Sequence, residues 1–237
     1  MVSLHGGPYY AVGTRFTFET QRLVSLGYAV LTLNPRGSAG RDAAFSAAIA
    51  GAWGGPDAAD VEAAVQDLLQ RTSYPHVVVT GVSYGGFLAQ LLLTRSRLFE
   101  AAISENGISD FTWLHDGHAR QRATAEWAMG GPPGTTDDYV TRSPRRRVPS
   151  VTGPLLLIHA EEDQTSPVGQ SRGMASAMAG AGKAVELVTL PGEGHLVHLD
   201  GRPSSRRQRA RAVDDWLARV AGHGAWTPIT AQGGPHG

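Results

Sequence analysis

The sequence predicts an α/β domain with a mostly parallel central sheet and helices on both faces. Three observations support this fold class. Short runs of strand length alternate with helical patterns along the chain. The runs are almost continuously apolar, which is typical of strands buried on both faces. The length of 237 residues suits one domain with a sizeable core.

Five runs are predicted as strands because each is short, apolar and bounded by turn residues. The helices between them are predicted from apolar positions that recur on one face, with Asp57 as the cap of the second helix and Gly27 ending the first. The predicted strands are residues 28–33, 76–80, 101–104, 155–159 and 185–190. The predicted helices are residues 16–26, the helix after Asp57, and residues 86–94, 167–179 and 205–220.

Composition excludes several classes of function. The chain has no cysteine, so disulfides, thiolate catalysis and cysteine zinc sites are excluded. Lys plus Arg and Asp plus Glu are balanced at 21 each, so we expect neither nucleic acid nor a membrane as a partner. The first residues contain no secretory signal, and we expect a cytoplasmic location. Residues 1–221 are interpreted as one domain and the Gly- and Pro-rich residues 222–237 as a flexible tail.

The strongest catalytic signal is a G-x-S-x-G motif running from Gly81 to Gly85, with Ser83 at its centre. In a chain with 30 glycines the bare pattern could be a chance turn. Its context argues otherwise, because a predicted strand precedes it and a predicted helix follows it. Such a turn exposes the serine hydroxyl at the carboxyl edge of a sheet, as in the α/β-hydrolase fold. We therefore interpret Ser83 as a nucleophile.

A serine hydroxyl needs a base, and in this fold the chain order is serine, acid, histidine. Asp163 lies just past the predicted strand 155–159, and His195 follows the predicted strand 185–190. Both loops should open at the same sheet edge as Ser83. Asp163 would orient the imidazole of His195 and stabilise its cation.

Each of these assignments has rivals in the sequence. Glu161 and Glu162 adjoin Asp163 and could supply the acid, or they could be a solvated loop surface. His198 follows His195 by three residues and could supply the base.

Two backbone amides are candidates for an oxyanion hole. One belongs to Tyr84, which follows the nucleophile at the start of a helix. The other belongs to Gly7 in the His-Gly-Gly-Pro run at residues 5–8, a loop type that supplies an oxyanion donor in many esterases and peptidases. The alternative for residues 5–8 is a simple turn.

We expect no metal and no cofactor. The pairs His195/His198 and His115/His118 have a spacing that could suit a metal on a helix. A carboxylate signature of the kind found in histidine metal sites does not accompany either pair.

Several segments, taken in order, resemble the catalytic domain of the prolyl oligopeptidase family, closest to its acylaminoacyl-peptidase and dipeptidyl-peptidase-like branch. The resemblance covers nearly the whole chain from residue 5, and the Arg-Gly-Ser and Trp-Gly elements are more specific than G-x-S-x-G alone. The segments are His5-Gly6-Gly7-Pro8, Asn34-Pro35-Arg36-Gly37-Ser38-Ala39-Gly40, Gly51-Ala52-Trp53-Gly54-Gly55, Gly81 through Phe87, Leu156-Leu157-Ile158-His159 with Asp163, and Gly194-His195.

The resemblance implies a Ser83-Asp163-His195 triad and a peptidase that cleaves aminoacyl or acylaminoacyl bonds through an acyl-enzyme. The alternatives are an esterase, thioesterase or amidase acting on a small acyl substrate, and a non-catalytic remnant that only binds. The resemblance also implies an acyl-side pocket lined by Phe87 and Trp113, with Tyr84 as a further candidate. The alternative for all three residues is packing in the core.

The family usually carries an N-terminal β-propeller, and these residues lack one. The family's fold also begins with strands ahead of the position of His5, where this chain has four residues. We therefore expect the strand at residues 28–33 to be an exposed sheet edge. An exposed edge favours association, so we expect it to be covered by a second copy of the chain or by a missing N-terminal segment.

Overall fold

A computed structural model describes residues 1–222 of the chain, and these residues form a six-stranded sheet between two layers of helices. All neighbouring strands are parallel, and their order across the sheet is β2-β1-β3-β4-β5-β6. The predicted α/β-hydrolase architecture is therefore confirmed, and the described residues contain no propeller. The strands are β1 (Val2–Leu4), β2 (Leu31–Thr32), β3 (Val78–Val82), β4 (Ala101–Glu105), β5 (Leu155–Ala160) and β6 (Val185–Leu190).

The helices connect and cover the strands. None of those within residues 1–222 combines the length and the apolar composition needed to cross a bilayer. A 3-10 helix spans Pro144–Ser150. The α-helices are α1 (Phe18–Ser25), α2 (Ala43–Ala47), α3 (Pro56–Arg71), α4 (Tyr84–Arg95), α5 (Phe111–His115), α6 (Ala119–Met129), α7 (Asp138–Thr141), α8 (Gly169–Gly180), α9 (Val197–Asp200) and α10 (Pro203–Gly222).

The core is split by the sheet into two apolar clusters, as alternation along buried strands requires. On β3, Val79 packs into the cluster covered by α3, α4 and α8, whereas Val78 packs into the cluster covered by α1 and α10. On β5, Leu155 and Leu157 belong to the first cluster, and Leu156 belongs to the second. Each central strand is therefore buried on both faces, which explains its continuous apolar sequence.

The strand predicted at residues 28–33 is much shorter in the structure. Only Leu31–Thr32 pairs with β1, and it lies at the edge of the sheet as expected. The backbone N–H of Leu31 donates to Met1 O (2.9 Å), and the terminal amino group of Met1 donates to Ala29 O (2.8 Å). A short edge strand offers few free backbone groups for pairing with another chain.

The assignment of Asp57 as a helix cap is wrong. The helix begins one residue earlier, at Pro56, and Gly55 occupies the cap position without a side-chain bond. Proline suits the first turn of a helix because its missing N–H would have no partner there. Asp57 is instead fully buried in the first turn, where its carboxylate accepts hydrogen bonds from the amides of Gly54 (3.0 Å) and Ala58 (2.9 Å).

Gly222, the first residue of the predicted tail, is helical and belongs to α10. The remainder of the predicted tail lies outside the described residues.

The turn between β3 and α4 is pressed against the loop that follows β1. A Cβ atom on Gly85 would lie 2.4 Å from the Leu4 carbonyl oxygen and 2.7 Å from the His5 carbonyl oxygen. A Cβ on Gly81 would lie 2.3 Å from the Gly85 carbonyl carbon. Both glycines of the G-x-S-x-G motif are therefore required by backbone contacts that no side-chain movement can relieve.

Replacement of Gly85 tests this contact. We expect Gly85→Ala to lower the free energy of unfolding by more than about 3 kcal/mol, because the added methyl group meets fixed backbone oxygens. Gly180→Ala is the matched control, since nothing lies within 4 Å of its Cβ position at the end of α8. It should be neutral or raise stability by up to about 1 kcal/mol. Urea denaturation followed by circular dichroism measures both, and equal stability of the two variants would contradict the steric argument.

Candidate active site

Ser83 sits in a strained turn between β3 and α4. Its backbone has φ 58 and ψ −118, a region that residues with a side chain rarely occupy. The turn is held because the Ser83 amide donates to the Glu105 carbonyl on β4 (2.8 Å) and the Ser83 carbonyl accepts from the Phe87 amide (2.9 Å). The strain places the hydroxyl at the carboxyl edge of the sheet, at the N-terminus of α4.

The structure brings Ser83, His195 and Asp163 into one hydrogen-bonded line. Nε2 of His195 lies 2.8 Å from Oγ of Ser83, and Nδ1 of His195 lies 2.6 Å from Oδ2 of Asp163. The imidazole is mostly buried, with 16% of its side chain exposed. In the tautomer that carries its proton on Nδ1, the ring donates a hydrogen bond to Asp163 and its Nε2 accepts one from the serine hydroxyl. This arrangement can remove the hydroxyl proton during attack on an acyl group.

Asp163 is held by its own loop. Its other oxygen, Oδ1, accepts hydrogen bonds from the amides of Thr165 (2.8 Å) and Ser166 (2.9 Å). Burial by itself would raise the pKa of this carboxyl, but hydrogen bonds from His159 and His195 and the charge of His195 outweigh it and lower the pKa to about 2. Asp163 is therefore ionised at neutral pH and can orient the imidazole.

Two of the alternative candidates, Glu161 for the acid and His198 for the base, have other contacts. Glu161 forms an exposed ion pair with Arg172 (3.1 Å). His198, in α9, makes no hydrogen bond to Ser83 or Asp163 within the described residues. Burial lowers the pKa of His198, so it is neutral near pH 7.

His159 is a neighbour of the acid that the sequence analysis did not identify. It is fully buried at the end of β5, and its Nε2 lies 2.6 Å from the Ser166 carbonyl oxygen and 3.5 Å from Oδ2 of Asp163. Its Nδ1 lies 2.7 Å from Oγ of Ser171 on α8. The ring thus fastens the loop of Asp163 to the strand before it and to the helix after it. Its place four residues ahead of the acid was the available sequence signal.

The loop at residues 5–8 lies beside the nucleophile. A Cβ on Gly6 would be 3.7 Å from the Cβ of Ser83, and Gly7 has φ 136, a conformation that requires glycine. Nδ1 of His5 lies 2.7 Å from the Gly6 carbonyl oxygen and Nε2 lies 3.0 Å from Oγ of Ser38. Within residues 1–222 the Gly7 amide donates to no other group, so it is free to serve a ligand.

Ser38 connects the Arg-Gly-Ser segment to the loop at residues 5–8 through its contact with His5. Its hydroxyl also bonds the Pro35 carbonyl (2.7 Å). The neighbouring Arg36 forms a bidentate pair with Asp60 on α3, with Nη2 to Oδ1 at 2.6 Å. This segment therefore anchors His5, and through it the candidate oxyanion loop, to the body of the domain.

The side chain of Tyr84 fixes the second candidate amide. Its buried hydroxyl donates to Oδ2 of Asp57 (2.5 Å), and burial, reinforced by the charge of Asp57, raises the pKa of Tyr84 well above its ordinary value. Burial likewise raises the pKa of Asp57, although bonds from Tyr84 and nearby amides oppose the rise. Trp53 packs edge-on against Tyr84, with ring centroids 4.9 Å apart. The Trp-Gly element thus supports the first turn of α4.

The two predicted pocket residues differ in position. Phe87 has no exposed surface and packs against Phe111 and Trp53, so it belongs to the aromatic core and does not line the cleft. It lies one helical turn after Ser83, on the buried side of α4. Trp113 is 41% exposed, and its ring lies over Gly169 at the start of α8, where a Cβ would be 2.8 Å from the ring. Its contact with substrate stays a prediction.

The described part of the chain holds no cluster of three or more His, Asp or Glu side chains placed to bind a metal ion.

The low pKa of Asp163 predicts a pH-dependent contribution to stability. Because the folded pKa of about 2 is below the ordinary 3.8, the contribution is present above pH 4 and is lost as the pH falls through 2. It amounts to about 2 kcal/mol, of which about 1 kcal/mol is gone at pH 3. Asp163→Asn should therefore lose less stability than wild type between pH 5 and pH 3 in urea denaturation. Parallel loss in wild type and Asp163→Asn would contradict the assignment.

Comparisons with known proteins identify the family of the chain. The model of the prolyl oligopeptidase family matches residues 14–224. The uncharacterized peptidase YuxL of Bacillus subtilis is 32% identical over 223 residues, which cover 92% of this chain and 34% of that protein. The human acylamino-acid-releasing enzyme is 27% identical over 211 residues, covering 83% of this chain and 28% of that enzyme.

Solved structures give the same result. The acylaminoacyl peptidase of Pyrococcus horikoshii superposes with a TM-score of 0.88 at 31% identity, over 92% of this chain and 36% of its own. A puromycin-hydrolyzing peptidase of Mycobacterium tuberculosis superposes with a TM-score of 0.86 at 28% identity, over 96% of this chain and 35% of its own. The chain thus spans about a third of the length of these relatives.

With a family model that covers most of its residues, a fold shared with peptidases of that family, and a serine elbow at the expected edge of the sheet, this chain belongs to the prolyl oligopeptidase family of serine peptidases.

Proposed function

We propose that this chain is a serine peptidase that cleaves aminoacyl or acylaminoacyl bonds through an acyl-enzyme. The observation that carries the proposal is the hydrogen-bonded line from Asp163 through His195 to Ser83, at the head of a strained strand-to-helix turn.

In the first step Oγ of Ser83 attacks the substrate carbonyl carbon while Nε2 of His195 takes the hydroxyl proton. The buried carboxylate of Asp163 stabilises the imidazolium that forms. The negative charge on the carbonyl oxygen would be held by the amides of Gly7 and Tyr84, and loss of one such donor typically lowers the rate about 10²–10³-fold.

In the second step the tetrahedral intermediate collapses, the bond to the leaving nitrogen breaks, and His195 gives its proton to the leaving amine. An ester then joins the acyl group to Ser83. Water, deprotonated by His195, attacks this ester and releases the carboxylic acid with regeneration of the serine hydroxyl.

The substrate class is supported by the relatives. Their printed names describe acylaminoacyl peptidases, an acylamino-acid-releasing enzyme and a puromycin-hydrolyzing peptidase. These names describe two peptidases and an enzyme that releases acylamino acids. The same triad chemistry would also hydrolyse esters, so the amide preference needs its own test.

A matched panel of chromogenic substrates tests the reaction. We expect turnover of aminoacyl or N-acyl-aminoacyl p-nitroanilides, with turnover abolished in Ser83→Ala, and covalent labelling of Ser83 by a fluorophosphonate. Turnover of p-nitrophenyl esters without any anilide turnover would remove the peptidase proposal in favour of an esterase. Absence of labelling in folded protein would remove serine hydrolysis altogether and favour a chain that only binds.

The two neighbouring histidines provide a second test. His195→Ala should lower kcat by at least about 10³-fold because the serine loses its base, whereas His198→Ala should stay within about threefold of wild type. Steady-state kinetics on the best anilide, with circular dichroism to verify folding, gives both values. The reverse ranking would assign the base to His198.

A further inference from the structure

Asn106 occupies a central position at the active edge of the sheet. It directly follows Glu105, the last residue of β4, and β4 lies between the strand that leads to Ser83 and the strand that leads to Asp163. Only 1% of Asn106 is exposed, so solvent does not explain its polar side chain.

Three polar groups of Asn106 are hydrogen-bonded to backbone groups of neighbouring segments. The side-chain oxygen accepts from the Ala160 amide at the end of β5 (2.8 Å). The side-chain nitrogen donates to the carbonyl of His195 (2.8 Å). The Asn106 amide donates to the Ile158 carbonyl (2.9 Å), which continues the pairing of β4 with β5. One side chain thus connects the strand that precedes the acid with the backbone of the base.

The backbone of Asn106 is strained as well. Its φ is 49, and within residues 1–222 the only other non-glycine residue with positive φ is Ser83. Asparagine tolerates the left-handed region better than most residues, but the conformation is still unfavourable. Strain of this kind persists only where the surrounding contacts enforce it. Here those contacts are the three hydrogen bonds of Asn106.

The loop of His195 needs such an anchor. It follows the edge strand β6, and the flanking Gly194 and Leu196 are exposed. Among the described residues, the His195 carbonyl accepts this one hydrogen bond and no other. An error of about 1 Å in the position of a catalytic group can lower the rate about 10²-fold.

We propose that Asn106 is a positioning residue that holds the main chain of His195 against the end of β5, so that the imidazole stays in line between Asp163 and Ser83. This inference rests on the proposed function, in which His195 is the base.

Two truncations separate the hydrogen bonds from the backbone strain. Asn106→Gly removes the side chain and relieves the positive φ, whereas Asn106→Ala removes the same bonds and keeps the strain. We expect both variants to lower kcat by about 10- to 100-fold, with KM within about threefold of wild type, because binding surfaces are unchanged while the base is displaced. The alanine variant should be the less stable of the two.

Asn106→Asp isolates the bond to His195. An aspartate can still accept from the Ala160 amide and tolerates the left-handed region, but its carboxylate cannot donate to the His195 carbonyl. It should show the same loss of kcat. Thr94→Val is the control, because it removes a buried hydrogen bond to Leu91 O at the far end of α4 and should lower stability without lowering kcat.

Two further measurements report on His195 itself. The rate of fluorophosphonate labelling at Ser83 should fall in parallel with kcat. The downfield proton resonance of the short Nδ1–Oδ2 hydrogen bond between His195 and Asp163 should shift or broaden in Asn106→Gly. A merely structural role would change neither.

The inference fails if folded Asn106→Gly keeps kcat and labelling rate within twofold of wild type. This variant decides the matter even when Asn106→Ala does not fold, since glycine carries no backbone strain at this φ. Failure of the proposed function would be recognised separately, in the wild-type protein. If that proposal is wrong, wild type itself shows neither labelling nor anilide turnover.

Discussion

The active edge depends on the parallel direction of all six strands. Parallel strands end on one side of the sheet, so loops that are distant in sequence meet there. The registers show how close they come: Leu4 pairs with Gly81, Val82 with Glu105, Glu105 with Ile158, and Ala160 with Leu190. Ser83, Asn106 and the candidate oxyanion loop at residues 5–8 directly follow these positions, and Asp163 and His195 lie a few residues further on. A reversed strand would carry its loop to the opposite side and dismantle the arrangement.

A buried ion pair holds the end of β4, the strand next to the one that leads to Ser83. The carboxylate of Glu105 is bound by the guanidinium of Arg209 on α10, with Nη2 to Oε1 at 2.7 Å, and both residues are buried. Arg209 also donates to Glu19 on α1 (3.1 Å). The backbone carbonyl of the same Glu105 accepts a hydrogen bond from the Ser83 amide. Glu105 therefore connects helices α1 and α10, which cover one face of the sheet, to the turn that contains Ser83. Removal of one partner from such a buried pair typically costs about 3–5 kcal/mol.

The fold and the central strands were predictable from the sequence because they depend on local patterns of apolar runs. The G-x-S-x-G turn and the chain order of the proposed acid and base likewise pointed to Ser83, Asp163 and His195, which the structure places within hydrogen-bond distance of one another. Sequence reasoning missed β1, which is three residues long, and the short helices α5, α6 and α7, because a few turns of mixed polarity carry no clear period. It misassigned Asp57 and Phe87, whose roles are set by contacts with Tyr84 and Phe111 across the fold. Asn106 was missed for the same reason, although an asparagine before a glycine at a strand end is a signal for positive φ.

Within residues 1–222 two non-glycine residues have positive φ, Ser83 and Asn106, and both are connected to the same peptide group of β4. The Ser83 amide donates to the carbonyl of Glu105, which belongs to the same peptide unit as the Asn106 amide, and that amide donates to Ile158 O. One peptide group of β4 is therefore hydrogen-bonded on one side to the turn of the nucleophile and on the other side to the strand of the acid. The side chain of Asn106 adds the loop of the base. The end of β4 is thus hydrogen-bonded to the segments of all three proposed triad residues, although it supplies none of the atoms proposed to react.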